Sequence, residues 1–177
     1  IIIEDKKGLK KNSLLENTSS QIQENKKIFA EKIKIGKKAQ ISEDFMIIAR
    51  IESFILGKGV DDAISRAHAY ISAGADAIMI HSKSKDPKEI FKFSKIFRKH
   101  YKEIPLIAVP SSYNHIRDTE LQKKGFNIVI YANHLLRASY PSMVNVAKSI
   151  LKNKRSKEAD NMILSIKEIL NLIPGTN

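Results

Sequence analysis

Charged residues follow an apolar run at the beginning of the sequence, where Glu4, Asp5 and Lys6 come directly after three isoleucines. A carboxylate at the end of a buried strand is costly unless it is paired, hydrogen-bonded or close to a metal ion. Glu4 is therefore a candidate for an outer carboxylate of a metal site. A simple ion pair between Asp5 and Lys6 at the strand end explains the same residues by composition alone.

The next residues carry hydrogen-bond donors that suit phosphate oxygens. Lys10, Asn12 and Ser13 lie in a polar, turn-rich stretch that includes Gly8, and we predict a mobile loop over residues 6–19. Ammonium, amide and hydroxyl groups can all donate to a phosphoryl group. Without regard to spacing, an ordinary lysine-rich surface loop is the favoured explanation of this composition.

Two further candidates stand at the ends of other apolar runs. Arg50 follows such a run and precedes Glu52, so it either pairs with an acid or forks around a ligand carboxylate or phosphate. His81 ends a second run, where it is either a packing residue or part of a site level with Arg50. No His-x-x-x-His or paired acidic motif completes a metal site, so this sequence supplies at most one outer carboxylate to such a site.

Short apolar runs alternate with longer amphipathic stretches, which predicts strands alternating with helices. Gly36 and Gly74 are interpreted as helix stops, and Asp86 as a helix cap. We predict strands over residues 1–5, 45–54, 76–81, 106–110 and 127–131. We predict helices over residues 21–34, 59–74, 87–101, 116–124, 141–151 and 159–172.

This alternation predicts an α/β fold with a parallel sheet, as either a (β/α)8-barrel fragment or an open doubly wound sheet. Polar residues gather at the carboxyl ends of the strands, where a barrel keeps its active site, and no glycine-rich phosphate loop follows any strand. The barrel is therefore favoured. We predict a partial barrel over residues 1–151, with its last five strands and their helices, and a carboxy-terminal helical extension over residues 152–177.

Composition narrows the classes of function. The sequence has 42% hydrophobic residues and a formal charge of +12, but its lysines are scattered and no nucleic-acid-binding motif is present. No apolar run approaches the length of about 18 residues that a membrane span needs. The lack of cysteine fits a cytoplasmic protein. A buried-strand pattern at Ile1, without a methionine, leads us to expect that a further segment precedes it.

Several ordered motifs resemble the phosphoenolpyruvate mutase and isocitrate lyase superfamily. The mutase pattern is Glu-Asp-Lys, five residues, then Asn-Ser, and residues 4–13 read EDKKGLKKNS. Residues 48–54 (IARIESF), 74–83 (GADAIMIHSK) and 132–139 (ANHLLRAS) are further matches. The resemblance extends over nearly the whole chain. It departs from the family pattern at Gly8 and Leu9, where members commonly carry an aromatic-proline pair.

The resemblance implies an isomerase that interconverts phosphoenolpyruvate and phosphonopyruvate with Mg2+, forming a carbon–phosphorus bond in phosphonate biosynthesis. Carried onto this chain, Glu4 would contact the metal through water. Lys10, Asn12 and Ser13 would lie on a gating loop, and Arg50 and His81 would hold phosphoryl and carboxylate oxygens. The family also implies a terminal helix swapped between subunits of a homodimer or homotetramer. Its amino-terminal strands supply the main metal aspartates, so we expect these 177 residues alone to be inactive.

Other functions remain possible at this point. Phosphonopyruvate hydrolases share the fold but tend to have threonine where this chain has Asn12, which favours the mutase. Carbon–carbon lyases of the superfamily use a cysteine-containing loop that this sequence lacks. A non-catalytic anion-binding or oligomerisation module is a further alternative, and a nucleic-acid binder is the last.

Overall fold

The computed structural model describes residues 1–8 and 21–172, and its main feature is a five-stranded parallel sheet. The strands are β1 (Ile2–Glu4), β2 (Lys6–Lys7), β3 (Ile22–Gln23), β4 (Ile48–Ile51), β5 (Ala77–Ile80), β6 (Leu106–Ala108) and β7 (Ile128–Val129). The parallel sheet has the order β1-β4-β5-β6-β7, while β2 and β3 form a separate antiparallel pair. All five strands predicted for the sheet are confirmed, each shorter than its apolar run.

Helices follow the strands of the sheet. They are α1 (Lys26–Lys38), α2 (Gly59–Ser72), α3 (Lys88–His100), α4 (Asp118–Lys123), α5 (His134–Asn153) and α6 (Ile166–Asn171), with a 3-10 helix over Lys157–Met162. Gly74 has a positive φ of 101° directly after α2, as a helix-terminating glycine should. The N-cap position of α3 is Pro87 and not Asp86 as predicted, although the Asp86 side chain, one residue earlier, accepts a hydrogen bond from the Lys88 amide.

The prediction for the first helix was wrong at both ends. Asn25 caps α1, its side chain accepting a hydrogen bond from the Lys27 amide at 2.9 Å, and the helix continues through Gly36 to Lys38. A Cβ atom on Gly36 would lie only 2.9 Å from Cδ1 of Ile47. Gly36 therefore permits close packing against the chain that enters β4, and it does not stop the helix.

The two carboxy-terminal helices also differ from their predictions. α5 begins at His134 and contains Pro141, which had been expected to start it. The predicted helix over 159–172 is divided into the 3-10 helix and α6. α6 begins with a capping box, in which Ser165 and Glu168 exchange side-chain and backbone hydrogen bonds, and this local signal defines a new helix start.

The core lies between the sheet and α1–α3. All four residues of β5 are buried, as expected for a parallel strand covered on both faces. Aromatic side chains fill the helical layer: the Phe29 and Tyr70 rings are 4.8 Å apart, and Phe93 and Phe97 stack at 5.7 Å. These buried rings hold α1, α2 and α3 against the strands whose ends carry the candidate site.

The chain divides into two compact units, residues 1–132 and 133–177. The first contains the parallel sheet and helices α1–α4, and the second contains α5, the 3-10 helix and α6. A barrel portion ending at residue 151 stays a prediction. None of the described helices combines the length and the apolar character needed to cross a bilayer.

Candidate active site

The candidate site is formed where the first strands of the parallel sheet end. In the register of β1 and β4, Glu4 is the partner of Arg50, so the two side chains start level with each other. Residues two apart on a strand face the same side, which places Lys6 with Glu4 and Glu52 with Arg50. The strand pairing thus brings four charged residues from two chain segments to one edge of the sheet.

These four residues, Glu4, Lys6, Arg50 and Glu52, form what we call the charge cluster. Nζ of Lys6 lies 3.3 Å from Oε2 of Glu4 and 3.0 Å from Oε2 of Glu52. Arg50 reaches the same two acids, with Nη1 at 3.1 Å from Glu4 Oε1 and Nε at 2.6 Å from Glu52 Oε1. The side chain of Glu52 is fully buried and that of Lys6 is 7% exposed. Each cation therefore bridges both carboxylates, which lowers the cost of burying all four charges.

Arg50 pairs with acids, which was the first of the two interpretations that the sequence allowed. Its side chain is 17% exposed, so it remains within reach of a ligand at the strand end. A phosphoryl or carboxylate oxygen has the geometry to replace a glutamate oxygen on the guanidinium fork. The ion pairs and a ligand role are thus compatible.

His81 follows β5 at the same edge, and its ring is 5% exposed. Burial, followed by the positive charge of Arg50, lowers the pKa of His81 from 6.5 to about 4. Nδ1 of His81 is buried without a hydrogen-bond partner among the described residues. At neutral pH the ring is uncharged and has hydrogen-bonding capacity to offer a ligand.

Asp5 is a buried charged residue at this edge that the sequence interpretation did not assign to the site. Its carboxylate is fully buried and pairs with Arg66, whose Nη1 is 3.2 Å from Oδ2, while Lys6 pairs with the glutamates. Burial, the dominant influence, raises the pKa of Asp5 from 3.8 to about 6. A signal was available: Asp5 is adjacent to Glu4 on an extended segment, so its side chain must point to the opposite face, into the core.

Lys10, Asn12 and Ser13 lie outside the described residues. The structure does describe the chain on either side of them. Lys6 pairs with Gln23 and Lys7 with Ile22 in the antiparallel ladder of β2 and β3. The chain therefore leaves the neighbourhood of the charge cluster after Lys7 and is again beside it at Ile22.

A cavity of about 530 Å3 opens beside the return segment. Gln23 lines it together with Lys58, from the loop after β4, and Lys83, two residues beyond His81. The two lysines add cations that the sequence interpretation had not assigned to the site. The cavity offers space for an anionic small molecule at this edge of the sheet.

Over residues 1–8 and 21–172, no three His, Cys, Asp or Glu side chains are grouped so that they could hold a metal ion. Glu4, the predicted metal residue, has its carboxylate between Lys6 and Arg50. The described residues therefore do not amount to a metal site. Fixed cations and a neutral imidazole are groups suited to binding anions.

Known proteins are similar to this chain in sequence. The family model for phosphoenolpyruvate phosphomutase matches residues 1–151. A phosphoenolpyruvate phosphomutase from Tetrahymena pyriformis is 37% identical, with 97% of this chain and 56% of that protein covered. A phosphonopyruvate hydrolase from Variovorax sp. strain Pal2 is also 37% identical, over 97% of this chain and 58% of that protein. The chain thus spans a little over half the length of these relatives.

Solved structures agree with the sequence matches. The phosphoenolpyruvate phosphomutase of Streptomyces platensis subsp. rosaceus superimposes with a TM-score of 0.88 at 37% identity, over 97% of this chain and 58% of that one. A phosphonopyruvate hydrolase in complex with oxalate and Mg2+ gives 0.81 at 34% identity, over 97% and 57%. The parallel sheet corresponds to part of the (β/α)8 barrel of these proteins, which confirms the predicted fold class. The chain therefore belongs to the phosphoenolpyruvate phosphomutase family, within the phosphoenolpyruvate mutase and isocitrate lyase superfamily.

Proposed function

We propose that the protein is a phosphoenolpyruvate mutase, an isomerase that interconverts phosphoenolpyruvate and phosphonopyruvate and so forms the carbon–phosphorus bond of phosphonate biosynthesis. The observation that carries this proposal is the meeting of Arg50, Lys6 and the neutral His81 at one edge of the sheet. These groups suit a substrate that has both a phosphoryl group and a carboxylate.

The reaction demands little covalent chemistry from the protein. The bond between the enol oxygen and phosphorus breaks, the phosphoryl group spreads its charge over three oxygens, and phosphorus then bonds to the methylene carbon of the pyruvate enolate. Fixed cations and hydrogen-bond donors stabilise such a transition state. Arg50 and His81 would hold the phosphoryl and carboxylate oxygens while the enolate turns its carbon toward phosphorus.

Lys10, Asn12 and Ser13 complete the proposal as the residues that close over the substrate. Asn12 would contact the migrating phosphoryl group through its amide. Closure would exclude water, which otherwise captures the phosphoryl group and turns the mutase into a hydrolase. The described residues on either side, Lys6–Lys7 and Ile22–Gln23, pair in the β2–β3 ladder beside the charge cluster, which supports the assignment.

The proposed cofactor is Mg2+, and Glu4 is its proposed contact through a water molecule. The described residues do not by themselves form a metal site. The metal-binding aspartates would come from residues beyond these 177, and we propose that this chain alone is inactive.

Phosphonopyruvate hydrolase is the second candidate, because the hydrolase from Variovorax and the mutase from Tetrahymena are equally similar to this chain at 37% identity. Asn12 favours the mutase. Phosphorus NMR of the longest natural form of the protein, with phosphonopyruvate and Mg2+, distinguishes the two: phosphoenolpyruvate as product supports the mutase, and inorganic phosphate with pyruvate supports the hydrolase. Turnover by neither route would favour a non-catalytic module.

A substitution of Asn12 tests its proposed role in the same experiment. Asn12→Thr should raise the share of inorganic phosphate among the products if Asn12 guards the phosphoryl group. Asn153→Thr, at an exposed helix end, is the matched control and should leave the product ratio unchanged. An unchanged ratio in Asn12→Thr would remove Asn12 from the proposed site.

The carboxy-terminal unit supports a homo-oligomer. α5 has no buried residue, and it exposes Leu135, Leu136, Tyr140 and Leu151 by more than half of each side chain. We propose that a second subunit covers this apolar surface through exchange of the terminal helix, in a homodimer or homotetramer. Light scattering of Leu135→Lys should then report smaller particles than the unsubstituted protein does.

A further inference from the structure

A second group of polar residues is buried next to the charge cluster, on the core side of the sheet. It consists of Asp5, Gln23, Arg66 and Tyr70, which we call the Asp5 cluster. Asp5 and Tyr70 have no exposed surface, Arg66 is 5% exposed and Gln23 is 7% exposed. Buried ion pairs contribute little net stability compared with apolar residues of the same size, so stability alone is a weak reason for this group.

The Asp5 carboxylate is fully occupied by donors from separate chain segments. Oδ1 accepts the Glu52 amide at 2.9 Å. Oδ2 accepts the Tyr70 hydroxyl at 2.8 Å, Nε2 of Gln23 at 2.9 Å and Nη1 of Arg66 at 3.2 Å. One carboxylate thus connects the end of β1, the loop after β4, the return segment at β3 and helix α2.

The main chain of Asp5 connects the same segments. Its amide donates to the carbonyl of Arg50 at 3.0 Å, and its carbonyl accepts the amide of Glu24 at 2.9 Å. Arg66 strengthens the second contact, because its Nη1 donates to the Glu24 carbonyl at 2.9 Å. Tyr70 is further tied to Arg66, whose Nη1 donates to the tyrosine oxygen at 2.9 Å.

These contacts bear directly on the charge cluster. Glu52 lies beyond the last residue of β4, and its amide bonds to Asp5 instead of a neighbouring strand. Lys6 follows Asp5 in the chain and pairs with Gln23, whose side chain also bonds to Asp5. The positions of Lys6 and Glu52, which form an ion pair at 3.0 Å, therefore depend on the Asp5 cluster.

We propose that Asp5 and Arg66 are positioning residues, which hold Lys6, Glu52 and the return segment at β3 in the arrangement that the charge cluster needs for turnover. The role in turnover rests on the proposed function above. Neither residue is proposed to touch the substrate, since the Asp5 carboxylate lies in the core. Displacement of reacting groups by about 1 Å can cost a hundredfold in rate, so a device of this kind has a measurable effect.

Asp5→Asn is the sharpest substitution, because it keeps the shape and removes one oxygen. The new amide group would face the donors of Tyr70, Gln23 and Arg66, while in the flipped orientation it would face the Glu52 amide. No orientation satisfies every partner. Tyr70→Phe is the milder variant, which removes a single hydroxyl donor from Oδ2.

A matched control exists at the opposite end of the same sheet. Asp76 also accepts a backbone amide, that of Ile47 at 2.7 Å, and also pairs with a cation, Lys37 at 2.9 Å. It precedes β5, away from the charge cluster. Asp76→Asn therefore makes the same chemical change at a carboxylate that has no proposed part in turnover.

The test compares these variants in the longest natural form of the protein, by phosphorus NMR with phosphonopyruvate and Mg2+ and by thermal unfolding. For Asp5→Asn we expect kcat to fall about 10- to 100-fold with KM changed far less, and Tm to fall further than in Asp76→Asn, because the Asp5 partners are buried and Asp76 is partly exposed. Asp76→Asn should keep its kcat. Tyr70→Phe should lose up to about tenfold in kcat, and it replaces Asp5→Asn if that variant does not fold.

A kcat equal to that of the unsubstituted protein in both Asp5→Asn and Tyr70→Phe, with only Tm lowered, would overturn the proposal. Hydrogen exchange provides a readout that needs no turnover. Asp5→Asn should speed exchange at the Glu52 and Glu24 amides, and Asp76→Asn should speed it at Ile47 instead. If the unsubstituted protein has neither mutase nor hydrolase activity, the proposed function fails, while unchanged exchange at Glu52 would by itself refute the positioning role.

Discussion

The two ends of the parallel sheet use charged residues in different ways. At the amino ends, Asp76 and Arg98 bond to the backbone as well as to side chains: Asp76 pairs with Lys37 and accepts the Ile47 amide. Arg98 likewise donates to the backbone carbonyls of Gly125, Tyr101 and Ile104. At the carboxyl ends, the side chains of the charge cluster pair with one another, and its two cations, Lys6 and Arg50, each bridge two acids.

The difference supports the proposed placement of the site at the carboxyl ends. Backbone groups are fixed partners, so the charges at the amino ends are committed to holding helices and strands together. Side-chain partners can be exchanged for a ligand, and the charge cluster is arranged in that manner beside a neutral His81. Burial of such exchangeable charges is costly and is retained where the charges bind something.

The largest difference between the two ends is expected when one arginine at each end is changed to lysine. Arg50→Lys keeps the charge but loses the guanidinium fork, so turnover in the phosphorus NMR assay should fall by about 10²- to 10³-fold. Arg98→Lys loses contacts to the backbone, so thermal unfolding should occur earlier while kcat is retained. Equal losses of turnover in the two variants would contradict a functional distinction between the ends.

A second prediction concerns the pH dependence of stability. The pKa of His81 is 6.5 in the unfolded chain and is lowered to about 4 in the folded protein. As the pH falls from 6.5 toward 4, the unfolded chain therefore binds a proton that the folded protein does not, and the free energy of unfolding decreases. Denaturant unfolding of the unsubstituted protein and of His81→Gln should show a difference that changes by up to about 3 kcal/mol over that range.

Asp5 makes a contribution of opposite sign to the pH dependence of stability. The raised pKa of Asp5 acts in the other direction: its contribution is fully present below pH 3.8 and is lost as the pH rises through about 6. Because Asp5 is present in both proteins, its contribution cancels in the difference between them. Parallel stability curves for the two proteins would show that His81 is not buried in its neutral form.

The smallest effect is expected at the amino end, from Lys37→Met. This change removes the cation from Asp76, whose side chain is 29% exposed and keeps its hydrogen bond from Ile47. The free energy of unfolding should fall by about 1 kcal/mol, as is usual for partly exposed pairs, with kcat unchanged. A loss of turnover larger than the loss of stability explains would show that the amino end also communicates with the site.

The comparison also shows where prediction from the sequence succeeded. Parallel strands end at a common edge, so the sequence predicts that Glu4, Arg50 and His81 meet there. The structure brings these three residues to that edge. The roles assigned to these residues, and to Lys10, Asn12 and Ser13, stay predictions. The predicted helix boundaries were wrong where a glycine serves tertiary packing and does not end a helix. Gly36 lies inside α1 and leaves room for the side chain of Ile47.

Sequence by itself determined the alternation of strands and helices, the family and the polar strand ends, because these follow from periodicity and from ordered motifs. Tertiary structure alone decided the partners of the buried charges. Lys6 is next to Asp5 in the chain, yet Lys6 pairs with Glu52 and Asp5 with Arg66, since adjacent residues of an extended segment face opposite sides. Spacing places residues on elements, while the packing of helix α2 against the end of β1 determines which charges meet.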